Sequence, residues 1–350
     1  MLNLRYMAIR NSARVRQRLL GLKSGTNAAR QVVIVHSADR VETSEAICLP
    51  GEFDRASAVI SSSNMEKQRK WAAAGSLEHG PTLAYRVDNA FIAGDEVYTS
   101  NSFDRYGRIV PPFAPSGVVS INEGMLCESG GAHFFGHWLG DNLCTELLAA
   151  EMDKPPLSLA PRWMHESGYR SVTKLAAVHF PVAAVKTLWL VDDRSYNAGR
   201  IARFKHLRGL VRRAVPEAAS AMVYIARGSS GTARNLTNDH EVRDALQSRG
   251  FIILEPEHAS PQQIIDTLSK ASFVVSVEGS AISHALVSLP AKAGMVIIQP
   301  PGRFNIFHKV IGDFAEFKTG FIVASPAENG FSVNVTSLLK TIDLVMHNSL

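Results

Sequence analysis

Cysteine is scarce in this chain and poorly placed for structural work. Only 3 cysteines occur in 350 residues, Cys48, Cys127 and Cys144, and no two stand in a CxxC spacing. That argues against a disulfide framework and a thiolate zinc cluster, and points to a reducing, cytoplasmic setting. Long apolar runs are missing as well. No window approaches the ~20 apolar residues of a membrane span, and the N-terminal residues lack the apolar centre of a secretory signal. Phosphate-binding signatures are absent, since neither GxxxxGK[ST] nor GxGxxG finds a match. Aromatic residues do not interleave with the basic cluster, and no nucleic-acid module signature is found, so no nucleic-acid partner is expected.

One further absence is local. The first 38 residues contain no Asp or Glu, but they hold Arg5, Arg10, Arg14, Arg16, Arg18, Lys23 and Arg30. Of 37 Lys and Arg residues this leaves 30 against all 32 acidic ones, so the formal charge of +5 is a property of the N-terminal arm. Leu4, Met7, Ile9, Val15, Leu19, Leu20 and Leu22 are mixed with these arginines. The arm reads either as a solvated tail or as a basic amphipathic helix that lies on an anionic inner-membrane surface.

What remains is ample for a folded protein: 46% of residues are apolar and 20% charged, enough to bury a large core across roughly two domains. "QVVIVH" (31–36) reads as a strand. Between Leu83 and Ile121 the runs "LAYRV", "AFIAG" and "EVYTS" alternate with Asp, Asn and Gly, which suggests hairpins, and "PPFAPSG" (111–117) reads as a hinge. From Lys186 onward, "TLWLVDD", "MVYIARG", "FIILEPE", "SFVVSVEG" and "GMVIIQP" are short runs rich in Val and Ile, the pattern of buried parallel strands. Helical segments separate them. One is expected to start at Thr237 or Asn238, and another has Ser260, Pro261 and Gln263 placed as a capping box. Strands alternating with helices indicate an α/β fold with a parallel sheet. The expected domains are a basic arm (1–30), an α/β domain with hairpins (31–180), a Rossmann-like domain (181–325) and a C-terminal helix (326–350).

In such a sheet, ligands bind where strand ends lead into helices. Those positions carry Arg227, Arg234 and Asn238, then Glu255 and Glu257, then Glu278, Gly279 and Ser280. Two arginines and the start of a helix near Ser280 suit a diphosphate. Glu278 is placed to accept hydrogen bonds from ribose or sugar hydroxyls, and Ser280 to cap the helix. The loop "RGSSGTARN" (227–235) reads as an anion site or a solvated turn. A different constellation stands in "GGAHFFGHWLGDNLCTELL" (130–148), where His133, His137 and Asp141 recur every four residues and share a helical face if the helix begins early enough. Three readings remain open there: histidines satisfied at an interface, a metal triad, or a carboxylate acting with a histidine. A zincin needs glutamate where Phe134 stands.

These segments, in this order, resemble glycosyltransferase family 61, which includes plant xylosyl- and arabinosyltransferases and bacterial capsular polysaccharide proteins. "FFGHWLGDNL" is similar to the family's first motif through Phe135, Gly136, His137, Trp138, Leu139, Asp141 and Leu143, with Phe134 in place of asparagine. "YIARGSSGTARNLTND" follows the second through Arg227, Arg234, Asn238 and Asp239, and "GFIILEPE" ends on the family's Pro-Glu pair, here Pro256 and Glu257. The third motif is altered: Glu278 stands for histidine, Ser280 for alanine and His284 for asparagine. The resemblance covers about residues 83–310. It implies a GT-B architecture, two Rossmann-like domains facing across a cleft, and an inverting transfer from a nucleotide sugar, perhaps UDP-linked, to a glycan or lipid-linked acceptor in surface polysaccharide synthesis. It implies no essential metal or cofactor, with Asp141 as base and His137 as its rival, and Arg227, Arg234, Asn238, Glu257, Glu278, Gly279, Ser280 and His284 around the donor. The altered third motif leaves room for a second expectation, a non-catalytic protein of the same build that binds glycan or nucleotide.

Overall fold

A computed structural model describes residues 4–21, 25–109, 117–131, 133–212, 220–228 and 234–347. The hinge residues 111–116, the loop residues 229–233, and Leu22 and Lys23 of the arm lie outside these. The chain forms two compact units. Residues 1–39 and 78–207 make unit 1, and residues 40–77 and 208–350 make unit 2. These cuts differ from the expected contiguous domains. The "TLWLVDD" run sits in the middle of the unit 1 sheet rather than at the start of the second domain, and the polar stretch after residue 39 belongs to unit 2.

From the N-terminus come α1 (Leu4–Leu20), β1 (Gln31–His36), β2 (Asp39–Thr43), α2 (Met65–Ala72) and β3 (Gly75–His79). Next are β4 (Thr82–Ala93), β5 (Glu96–Tyr98), β6 (Phe103–Arg105) and β7 (Val119–Leu126). The expected hairpins are partly one long strand: "LAYRV" and "AFIA" both lie in β4, in which Asn89 takes a left-handed φ of 57° between them. Then α3 (Phe135–His137), a π-helical turn (Trp138–Asn142) and α4 (Leu143–Glu151) run on without a break. Strands β8 (Pro156–Ser158), β9 (Val178–His179) and β10 (Val182–Asp192) follow, with α5 (Glu166–Thr173) between β8 and β9 and α6 (Ala198–Val211) after β10.

The unit 1 sheet has the order β6-β5-β4-β10-β7-β8-β9, with β1 also on β4. It is mixed. Strands β1, β5 and β10 lie antiparallel to β4, whereas β7 is parallel to β10, β8 to β7 and β9 to β8. Strand order reverses between β7 and β10, so a crevice is expected beyond their carboxyl ends. The core on this sheet is built from Val87, Ile92, Leu126, Leu157, Val185, Leu188 and Leu190.

Unit 2 contains the parallel sheet anticipated from the Val- and Ile-rich runs: β11 (Ala221–Ile225), β12 (Phe251–Leu254), β13 (Ala271–Val277), β14 (Gly294–Gln299) and β15 (Lys318–Val323). Helices α7 (Asp239–Gln247), α8 (Pro261–Ser269), α9 (Ile282–Ser288) and α10 (Phe307–Phe314) connect them in turn, and a short hairpin (Ser325–Ser332) leads to α11 (Val335–His347). The order β12-β11-β13-β14-β15 is parallel throughout. In order of appearance that is 2-1-3-4-5, a doubly wound arrangement whose reversal lies between β11 and β13. Every residue of β14 is buried, as a strand covered on both faces requires. Tyr224, Val275, Val296, Ile298 and Ile322 pack against Leu338, Ile342 and Val345 of α11, so the C-terminal helix is part of this core rather than an appendage. Ser260 and Gln263 form the expected capping box at α8, a motif that satisfies two otherwise orphaned backbone N–H groups. No helix among the described residues is long and apolar enough to cross a membrane.

Candidate functional site

In unit 1 the polar stripe is divided by where the helix starts. Residue Phe134 is the N-cap of α3, so His133 precedes the helix. Its ring lies 4.2 Å from that of Phe134. Among the described residues no three His, Cys, Asp or Glu side chains are grouped as a metal ion would need. His137 and Asp141 do meet. The histidine Nδ1 stands 2.6 Å from Asp141 Oδ2, and against a carboxylate that nitrogen must be the donor, which leaves Nε2 to take a proton. Gly131 makes room for the ring, because a Cβ there would collide with it.

Asp141 is held from the other side by Arg200 of α6, a residue the sequence reading missed. Arg200 Nη2 donates to Asp141 Oδ1 at 2.7 Å and to the Gly140 carbonyl at 2.9 Å. Its guanidinium is fully buried, lies 5.1 Å from the Tyr196 ring centroid and stands 3.5 Å from Asp193. Burial pushes the Asp141 carboxyl up, but the His137 hydrogen bond and the Arg200 charge outweigh it and hold the group below the ordinary carboxylate range. His137 moves the opposite way. The hydrogen bond to Asp141 raises it above the usual histidine value, against the effect of burial. A carboxylate so stabilised is a weak base, and the histidine it raises is a stronger one.

The π-helical turn carries Asp141 and follows directly on His137. Turns of that kind are rare and concentrate at functional sites. Asn142 ties it to the loop after β7: its Oδ1 accepts from Ser129 N at 2.9 Å, and its Nδ2 donates to Glu128 at 2.8 Å. Burial pushes Glu128 up to about 7, although Arg162 and the Leu159 N–H lower it. Beyond the ends of β7 and β10 lies a cavity of about 400 Å³, lined by Tyr85, Tyr106, Glu128, Asp141, Asp192 and Arg194 among others. The buried hydroxyl of Ser129, on its wall, has no hydrogen-bond partner among the described residues.

In unit 2, five of the residues expected around a donor, Arg227, Arg234, Glu257, Glu278 and Gly279, lie near one another. Gly279, at φ 143°, follows β13, and a Cβ there would strike Nη1 of both Arg227 and Arg234. The two guanidiniums therefore close over the glycine at the strand-order reversal. Glu278 is buried and engaged rather than turned to a ligand. It accepts from Arg303 at 2.9 Å and Asn305 at 3.0 Å, and Arg234 Nε stands 3.0 Å away. Glu257 packs against the Gly228 backbone, where a Cβ would overlap its carboxylate. Burial pushes Arg234 down to about 10, with Glu278 opposing and Arg303 and Arg227 reinforcing. Arg227 is also lowered, first by burial. Three arginines thus share two carboxylates in a confined space, an arrangement that an anion would relieve.

Other expected members fall elsewhere. Asn238 uses its side-chain amide on the Val333 backbone, donating at 2.9 Å and accepting at 3.1 Å, so it pins the chain entering α7. Ser280 does not cap a helix: α9 begins at Ile282 with Ala281 as N-cap, and no side chain caps it. His284 is buried within α9. An anion at the arginine cluster would therefore meet side chains and not a helix end. Arg303 and Asn305 carried no motif and follow β14, where only the fold brings them to Glu278.

No curated protein matches the chain in sequence. Residues 135–298 match the family model described as Glycosyltransferase 61, a span that opens on the first residue of α3 and covers both the His137–Asp141 pair and the Arg227–Arg234–Gly279 cluster, so this part of the chain is similar to glycosyltransferase family 61.

Proposed function

We propose that the protein is an inverting glycosyltransferase that takes its sugar from a nucleotide diphosphate donor, UDP-linked in the simplest case, and passes it to a glycan or lipid-linked acceptor of a surface polysaccharide. The observation that carries this reading is the pair of guanidiniums, Arg227 and Arg234, closing on Gly279 at the order reversal of a parallel sheet. A diphosphate leaving group gathers negative charge in the transition state, and fixed cations in a partly buried site stabilise that charge without rearranging. Glu278 and Asn305 act as supports, holding Arg234 and Arg303 toward the site.

His137 takes the role of base, with Asp141 as its positioning residue. The acceptor hydroxyl gives its proton to His137 Nε2 as its oxygen bonds to the anomeric carbon, and the bond from that carbon to the diphosphate oxygen breaks on the opposite side. Attack from the face opposite the leaving group inverts the anomeric centre. Asp141 holds the Nδ1–H tautomer and stabilises the imidazolium that forms. This exchanges the roles expected from the family resemblance, because Asp141 is already neutralised by Arg200. The cavity beyond β7 and β10, with Asp141 on its wall and the Ser129 hydroxyl unpaired among the described residues, is the acceptor's place. In a GT-B arrangement unit 2 is the donor half and unit 1 the acceptor half.

The test is a calorimetric titration of UDP, GDP and TDP into the wild-type protein and into Arg227→Ala and Arg234→Ala. Binding of UDP by the wild type, weakened at least about tenfold by each substitution, is the expected result. Failure of all three nucleotides to bind removes the reading, and binding without turnover of any nucleotide sugar favours a non-catalytic nucleotide-binding protein.

A further inference from the structure

We propose that the outward face of α1 is a docking surface for an anionic lipid bilayer. The helix has two unlike sides. Its inner side is seated in unit 1: Tyr6 and Ala13 are buried, and the Tyr6 ring lies 5.5 Å from Phe91 and 6.1 Å from Tyr98. Arg14 donates to Glu96 at 2.7 Å, and Gln17 accepts from the Phe103 N–H at 3.1 Å. Helix α1 is therefore part of the unit 1 fold and presents a defined outer face.

That face is apolar along its middle. Leu4, Val15 and Leu19 are 74%, 56% and 79% exposed. At ~100° per residue they fall within an arc of about 60°, opposite the buried Tyr6 and Ala13. Arg18 lies on one side of this stripe and Arg5 and Arg16 on the other, all exposed. Arg5 donates to the Asn89 amide oxygen and Arg16 to the Ser100 carbonyl, so among the described residues neither charge is spent on a carboxylate. An apolar stripe between rows of arginine is the pattern of a helix that lies in the interface of an anionic membrane. A second copy of the chain would bring arginine against arginine, whereas a bilayer supplies both an apolar layer and the opposite charge.

The position of the helix gives the contact a use. Strand β6 takes up the Gln17 contact through Phe103, and its Asp104 and Arg105, with Tyr106, line the unit 1 cavity. A bilayer held by α1 therefore lies beside one wall of that cavity, where an acceptor with a lipid tail would be presented. This last consequence rests on the glycosyltransferase reading; the docking does not, and its test needs no turnover.

The full chain is sedimented at low salt with vesicles of phosphatidylcholine, and with vesicles in which about a third of the lipid is phosphatidylglycerol. The expected result is pelleting with the anionic vesicles alone, lost at high salt. The double variant Val15→Asp with Leu19→Asp should stay in the supernatant, and Arg16→Gln with Arg18→Gln should bind roughly thirtyfold more weakly. Because all four side chains are exposed, each variant should melt with the wild type. Wild-type protein that remains in the supernatant with anionic vesicles overturns the proposal. So does undiminished pelleting of both variants, which places the binding surface elsewhere, or a concentration-dependent dimer through this helix in vesicle-free buffer that the aspartates abolish.

Discussion

Asp141 is neutralised by Arg200 and hydrogen-bonded to His137, and the direction of each shift gives a pH signature. His137 must be neutral to act as base, so activity should rise as pH climbs through its raised value. Asp141→Asn removes the first cause of that elevation. The acid limb of the kcat profile should then move down toward the ordinary histidine value of about 6.5, with kcat lower by roughly a hundredfold or more. An unmoved limb would assign the proton to another group. Stability follows the opposite logic. The depressed Asp141 contributes stability above its unfolded-state pKa, and this is lost as pH falls through its folded value. The raised His137 contributes below its unfolded-state pKa and loses that contribution as pH rises through its folded value. Arg200→Ala leaves Asp141 without its buried cation, while Asp193 keeps Arg203 at 2.7 Å, and should cost about 3–5 kcal/mol by chemical denaturation.

At the level of elements, the parallel strands of unit 2 were legible because residues buried on both faces leave an unbroken Val and Ile signal, and the capping box of α8 because its residues are adjacent in sequence. The motif at 134–143 announced His137 and Asp141 for the same reason. Arg200, Arg303 and Asn305 were not legible, since each acts through a partner 25 or more residues away that only strand order brings near. His133 misled because the four-residue repeat continues past the point where the helix begins. Strand β10 misled because a buried run next to a parallel sheet in sequence need not belong to it. Gly279 is the element-scale test. At φ 143° and with two guanidiniums against its Cα, Gly279→Ala should cost about 1–3 kcal/mol. It should also weaken UDP binding at least as much as Arg227→Ala, measured by thermal shift with and without nucleotide.

For the whole molecule, each unit places charged groups at the strand-order reversal of its own sheet: His137–Asp141–Arg200 with the cavity in unit 1, and the arginine cluster in unit 2. The scaffold behind the second depends on α11, so Leu338→Ala, a full truncation in that core, should lower stability by about 2–5 kcal/mol in a urea melt while leaving the donor KM near the wild-type value. The central claim is that His137 removes the acceptor proton while unit 2 holds the nucleotide. It is tested most directly by steady-state turnover of the nucleotide sugar that the protein accepts, comparing wild type with His137→Ala at neutral pH. The account predicts a kcat lower by about 10²–10⁴-fold with the donor KM little changed. Wild-type turnover in His137→Ala would contradict it.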